Sequence, residues 1–202
     1  MSSSELIRWS GLAAMVAAAL LVVGDLLNLT VLFSPEPFSE EAQTGSYLFR
    51  QALFLLGVML LLLGLVGLYV RQSQAAGTLG LVGFLVAFAG TVLVAGFLWA
   101  GTFVTPALAT EVPELLDAGP PPGFFPALIT CGVGWLLFGI ATLRARLYPR
   151  WATILLIVGA VIFVVPLPLT GIVLSVSVAW LGFHLFRGGD AAAEARTSPR
   201  VS

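Results

Sequence analysis

Lysine is absent from this 202-residue chain, and all nine of its cations are arginines. That absence excludes Schiff-base chemistry and a phosphate-binding P-loop lysine. One histidine, His184, cannot supply the pair that a zinc or haem site asks of a single chain. One cysteine, Cys131, allows neither an intrachain disulfide nor a CxxC motif. No GxGxxG, GxSxG or HExxH run occurs. Charge is scarce altogether, at 9% of residues, against roughly 25% in soluble domains. A water-soluble fold of this length lacks the polar surface it would need. The net charge of −1 offers no basic face for nucleic acid.

Apolar residues make up 59% of the chain, which excludes disorder and points to a polytopic membrane helix bundle. A hydrocarbon core of ~30 Å takes about 20 apolar residues in a helix. Six such stretches can be read: Leu6–Phe33, Tyr47–Tyr69, Gly77–Phe103, Phe124–Leu143, Tyr148–Val165 and Leu169–Phe186. Pro166 and Pro168 divide the last two with a tight turn; one kinked helix, and so five spans, is the alternative. The expected fold is all-α, with six transmembrane helices as three helical hairpins across residues 1–187. Residues 188–202 form a small, polar tail expected to be disordered. The first apolar run is too long for a signal-peptide core and is expected to be a retained span.

Charge sets the orientation. Segments 34–46 and 105–123 carry Glu36, Glu40, Glu41, Glu111, Glu114 and Asp117 and no arginine. Eight of the nine arginines (all but Arg50) fall on the other side, which the positive-inside rule makes cytoplasmic. Both termini are then cytoplasmic, and the expected setting is a plasma membrane. Trp9, Tyr69, Tyr148 and Trp151 would form the inner aromatic belt. Tyr47, Trp99, Phe103, Phe124 and Phe125 would form the outer one.

The hairpins look alike. Arg8-Trp9-Ser10 and Arg150-Trp151-Ala152 open two of the odd spans, and each even span ends on a glycine about one turn before an arginine. Duplication explains this, and so does the ordinary need for close packing and a snorkelling arginine. In the third span Gly83, Ala87, Thr91 and Ala95 recur at spacing four, flanked by Gly80 and Gly90. That small-residue face predicts a central, closely packed helix. The run Trp135-Leu136-Leu137-Phe138-Gly139, followed by the stretch from Leu143 to Ala152, resembles small uncharacterised six-helix bacterial integral membrane proteins. The glycine-rich third span with Trp99 and Pro106 is similar too. The resemblance implies a bacterial plasma membrane and brings no activity and no catalytic residue.

Asp25 is the one acid well inside an expected span. It lies about 12 Å from the outer end of the first helix at ~1.5 Å per residue. An ionised group there is costly and should face a partner or water. Asn28 shares its face, three residues on. Arg50, on the second span, is the expected partner. Trp99 and Thr102 occupy the same outer level, with Thr130 and Cys131 nearby. Asp25, Asn28, Arg50, Trp99 and Thr102 are therefore the candidate ligand-binding residues, and an Asp25–Arg50 pair that only fixes the first hairpin is the plainer alternative. His184 reads as an interfacial histidine. Ser177 is ~10 Å from it, too far for a nucleophile and base. Cys131 reads as a packing residue. Segment 105–123 reads as a short interfacial helix with a polyproline spacer, or as an ordered loop.

These residues point to a non-enzymatic binding, accessory or small transport component with a polar site in the outer leaflet. The alternative is a membrane-embedded enzyme acting on a lipid or quinone, for which paired acids and a nucleophile–base pair are missing. The expected partners are the bilayer and a small-molecule or lipid ligand, with no metal and no cofactor.

Overall fold

A computed structural model describes the backbone of residues 3–32, 37–165 and 169–197. Among these residues there are eight α-helices and no strand. They are α1 (Ser3–Leu32), α2 (Phe38–Glu41), α3 (Gly45–Phe103), α4 (Thr105–Glu111), α5 (Pro113–Asp117), α6 (Phe124–Ala145), α7 (Arg150–Phe163) and α8 (Thr170–Thr197). Four of them, α1, α3, α6 and α8, hold stretches long and apolar enough to cross a membrane; α7, with 14 residues, is shorter.

The second and third apolar stretches are joined within α3, a 59-residue helical segment. The expected inner loop at residues 70–76 is helical instead, because Gln72, Ser73, Gln74, Ala75 and Ala76 contain no helix breaker. The interruption comes at Gly77, with φ 58 and ψ −153, a region essentially reserved for glycine. The arms on either side of it lie alongside one another. Tyr69 and Phe84 stack with centroids 4.3 Å apart, and the Gln51 amide lies against Gly101 at the far end. Thr44 caps the start, its hydroxyl accepting from the Tyr47 amide at 3.2 Å.

The long helices close into a ring. Helix α1 packs on α3 and α8, α3 on α6, α6 on α7, and α7 on α8. Without a hydrophobic drive in lipid, such contacts depend on small residues that let backbones approach. A Cβ on Gly11 would stand 2.7 Å from the Gly182 carbonyl, one on Gly83 2.7 Å from the Phe138 nitrogen, and one on Gly159 2.6 Å from the Leu174 nitrogen. Leu65, Leu68, Trp135, Phe138, Leu156 and Leu181 are fully buried and join the ring's members in one core.

The face Gly83, Ala87, Thr91, Ala95 is buried as its spacing predicts, and it meets α6. The helix that carries it is not central, however. Leu85, Val92, Leu93 and Trp99 on its other side are exposed, so it is one stave of the ring. The fifth and sixth apolar stretches are separate helices, α7 and α8, set side by side through Gly159 and Leu174. The prolines expected to turn the chain between them, Pro166 and Pro168, lie outside the described residues. Helix α6 ends where Arg146 takes a left-handed conformation (φ 55), and Pro149 precedes α7. The described part of the polar tail continues α8 to Thr197.

Two expected belt residues turn inward. Tyr47 and Tyr148 are 2% and 6% exposed, because each hydroxyl finds a partner inside. Trp9, Trp99, Phe103, Phe125 and Trp151 are exposed as expected.

Candidate functional site

Arg50 does not meet Asp25. Its Nη2 donates to Glu41 Oε1, and its guanidinium lies 5.5 Å from the centre of the Tyr47 ring. The two charged side chains are 7% and 13% exposed. Helix α2 accounts for this pairing: it comes between α1 and α3 in the chain and turns Glu41 onto the first turns of α3. Sequence spacing between two spans gives no weight to an acid on a connecting segment such as Glu41.

The pair belongs to a folded cap made by α2, α4 and α5. Asp117 of α5 accepts from the Ser39 amide at 2.9 Å and from the Ser39 hydroxyl at 2.8 Å, holding the start of α2. The Gln43 amide donates to the carbonyls of Ser39 and Ala109. The Tyr47 hydroxyl accepts from Gln51 Nε2 at 3.3 Å, and the Thr105 hydroxyl donates to the Ala100 carbonyl at 3.3 Å. Ala42, Tyr47 and Ala109 form a small apolar cluster below, with Leu116 against it. The single interfacial helix expected in segment 105–123 is two short helices. Leu116 faces the cap, while Val112 and Leu115 are exposed. An arginine already held by a carboxylate and a ring is a fastener for these loops.

Asp25 sits elsewhere on the ring. A Cβ on Gly171 would stand 2.6 Å from its Oδ2, so the carboxylate rests against the first turn of α8. It is half-buried, as is Asn28 one turn further along. Helix N-termini expose unpaired amides and carry partial positive charge, which offsets part of the cost of a carboxylate at membrane depth. Glycine at 171 is what permits this approach. The other candidates scatter. Trp99 is 53% exposed and packs on Phe103, with centroids 5.7 Å apart. The Thr102 hydroxyl donates to its own helix at Leu98. Of the five candidate residues, the structure keeps only Asp25 and Asn28 together.

Two polar features inside the ring escape a reading by sequence. Thr91 donates to the Ala87 carbonyl at 2.6 Å and accepts from Trp135 Nε1 at 3.1 Å, with Cys131 Sγ 3.7 Å away. This knot ties α3 to α6 and confirms Cys131 as a packing residue. Gln72 is fully buried, and neither amide atom has a hydrogen-bond partner among the described residues. Nearby, the Tyr148 hydroxyl donates to the Leu68 carbonyl at 3.5 Å. Arg71 lies over the Tyr148 ring at 5.7 Å and donates to the His184 carbonyl at 3.3 Å. His184 is half-buried beside Phe183. The Ser177 hydroxyl donates to Leu174 in its own helix. Among the described residues, no three His, Cys, Asp or Glu side chains gather where a metal ion could sit.

Compared with known proteins, the chain matches no family model, no curated protein and no solved structure.

Proposed function

We propose that the protein is a non-enzymatic integral membrane component, a binding, accessory or small transport protein, with its polar site at Asp25 and Asn28 beside the first turn of α8. The observation that carries this reading is the Asp25 carboxylate against Gly171. Intramembrane carboxylates are expensive and mark ligand or ion pathways more often than not. With Arg50 engaged by Glu41, the carboxylate is left beside the positive end of α8. A carboxylate in that place suits a small polar ligand carrying a cationic group. An enzyme finds less support, since Ser177 and Cys131 are both occupied in packing.

Six crossings as three hairpins, with both termini cytoplasmic, complete the proposal. A 59-residue α3 would be about 89 Å long if straight, far beyond a ~30 Å core, whereas two arms turned at Gly77 fit. Helix α7 at about 21 Å is short, and its flanking residues or a locally thinned bilayer make up the difference. The arginine asymmetry gives the orientation. A plasma membrane of a bacterium is the setting that the sequence resemblance implies.

The site is tested by placing a cysteine at Asn28 in a Cys131→Ser background. A membrane-impermeant maleimide added from outside should label it, and Asp25→Asn should abolish any small molecule that co-purifies with the protein in native mass spectrometry. No labelling together with an unchanged ligand would leave Asp25 a purely structural cap on α8.

A further inference from the structure

The seam between α1 and α8 opens outward into a groove of about 380 Å³. Its floor is Ala18 and Ser175, both buried, and its walls include Met15, Val22, Val176 and Ala179. The lining is almost wholly apolar, and no helix of the ring covers it. At the inner end of the same seam stand two cations. Arg8 lies seven residues, about two turns, before Met15, and Met15 lies seven before Val22, so the three share one face of α1. Phe186 stands in the same relation to Ala179 on α8. The Arg8 guanidinium lies 5.2 Å from the centre of the Phe186 ring, and that of Arg187 lies 4.4 Å from the centre of the Phe183 ring. The aromatic rings thus hold both guanidiniums at the mouth of the seam. Glu5 lies three residues before Arg8, on the same face of α1.

We propose that this seam seats an anionic glycerophospholipid, its phosphate at Arg8 and Arg187 and one acyl chain in the groove. The dimensions agree. From Arg8 to Val22 is about 21 Å along the helix, so the groove takes the deeper part of a chain whose phosphate is at Arg8. Arginine matches phosphate in geometry as well as charge. The small side chains Ala18, Ala19, Ala179 and Ser175 leave room that lipid must fill, since an unfilled apolar wall forfeits its dispersion contacts. The leaflet is the inner one if the proposed orientation holds; the seam and its cations are independent of that orientation and of Asp25.

The test uses the full chain in nanodiscs of equal phosphatidylglycerol and phosphatidylcholine, released intact into a mass spectrometer. The wild type should retain lipid enriched in phosphatidylglycerol. Arg8→Gln with Arg187→Gln should lower the retained phosphatidylglycerol-to-phosphatidylcholine ratio about tenfold, in keeping with the attraction of a surface arginine for anionic lipid. Ala19→Phe, which fills the groove from an exposed position, should reduce total retained lipid, while Val92→Phe on the bare face of α3 should not. The proposal is overturned by a wild type that retains no lipid, or by a ratio the arginine pair does not move. Equal retention in the two phenylalanine variants also overturns it, as does a dimer that Ala19→Phe dissociates, which would give the groove to a second copy.

Discussion

Arg50 illustrates how a single side chain chooses between partners at membrane depth. Asp25 is the intuitive one, on the neighbouring helix. Glu41 wins because the α2 turn delivers it directly onto the arginine, where Tyr47 already supplies an aromatic face. A nearly buried pair of this kind is costly to break from one side, about 3–5 kcal/mol, because the survivor is left as an uncompensated charge. Arg50→Gln and Glu41→Gln should each destabilise the cap by an amount near the lower end of that range. The double variant should cost much less than the sum, and a thermal-unfolding cycle in detergent reads the coupling. The same cycle with Asp25→Asn and Arg50→Gln should be additive. Strong coupling in that second cycle would restore the Asp25–Arg50 pair.

Glycine has three different roles in the helices, and each answers substitution differently. Gly77 needs its left-handed φ, and a Cβ there would meet nothing within 4 Å, so Gly77→Ala should cost about 1–3 kcal/mol through conformation alone. Gly134 lies against the Ala87 backbone, so Gly134→Ala must push α6 off α3, at about 1–3 kcal/mol of overpacking. Gly96 is helical with open space around it, so Gly96→Ala should be neutral or stabilise by up to ~1 kcal/mol. Urea- or heat-driven loss of helicity in detergent ranks the three, and a Gly96 variant as damaged as Gly134 would refute the packing argument. At this scale the sequence is informative where periodicity and composition govern. The apolar stretches, the buried face Gly83–Ala87–Thr91–Ala95 and the exposure of Trp9, Trp99 and Trp151 are all legible there. It is silent where a loop folds back, because the energy of Asp117 on Ser39 or Glu41 on Arg50 comes from residues up to 78 positions apart. Only Asp25 and Asn28, one turn apart on one helix, could be placed together from spacing alone. The inward turn of Tyr47 and Tyr148 likewise depends on tertiary partners that no belt rule contains.

For the molecule as a whole, the orientation in the membrane decides what each surface meets. The two ends of α3 lie at the same end of its paired arms, since Gln51 reaches Gly101. The cap that joins α2, α4 and α5 closes over both ends. Hence the segments carrying Glu40 and Glu114 must share a side, and the Gly77 turn and the Arg146 connection must share the other. In the proposed orientation, which follows the arginine asymmetry, the first side is external. In a Cys131→Ser background, single cysteines replacing Glu40 and Glu114 should therefore react with an impermeant maleimide in intact cells. Cysteines replacing Gln74 and Arg146 should react only after the membrane is opened. Reaction at Gln74 from outside would mean that α3 does not turn back within the bilayer. Reaction at all four from one side would remove the crossings altogether. The reverse pattern, with Gln74 and Arg146 external, would keep the ring and invert it. The Asp25 site would then face the cytoplasm, and the α1–α8 seam would draw its lipid from the outer leaflet.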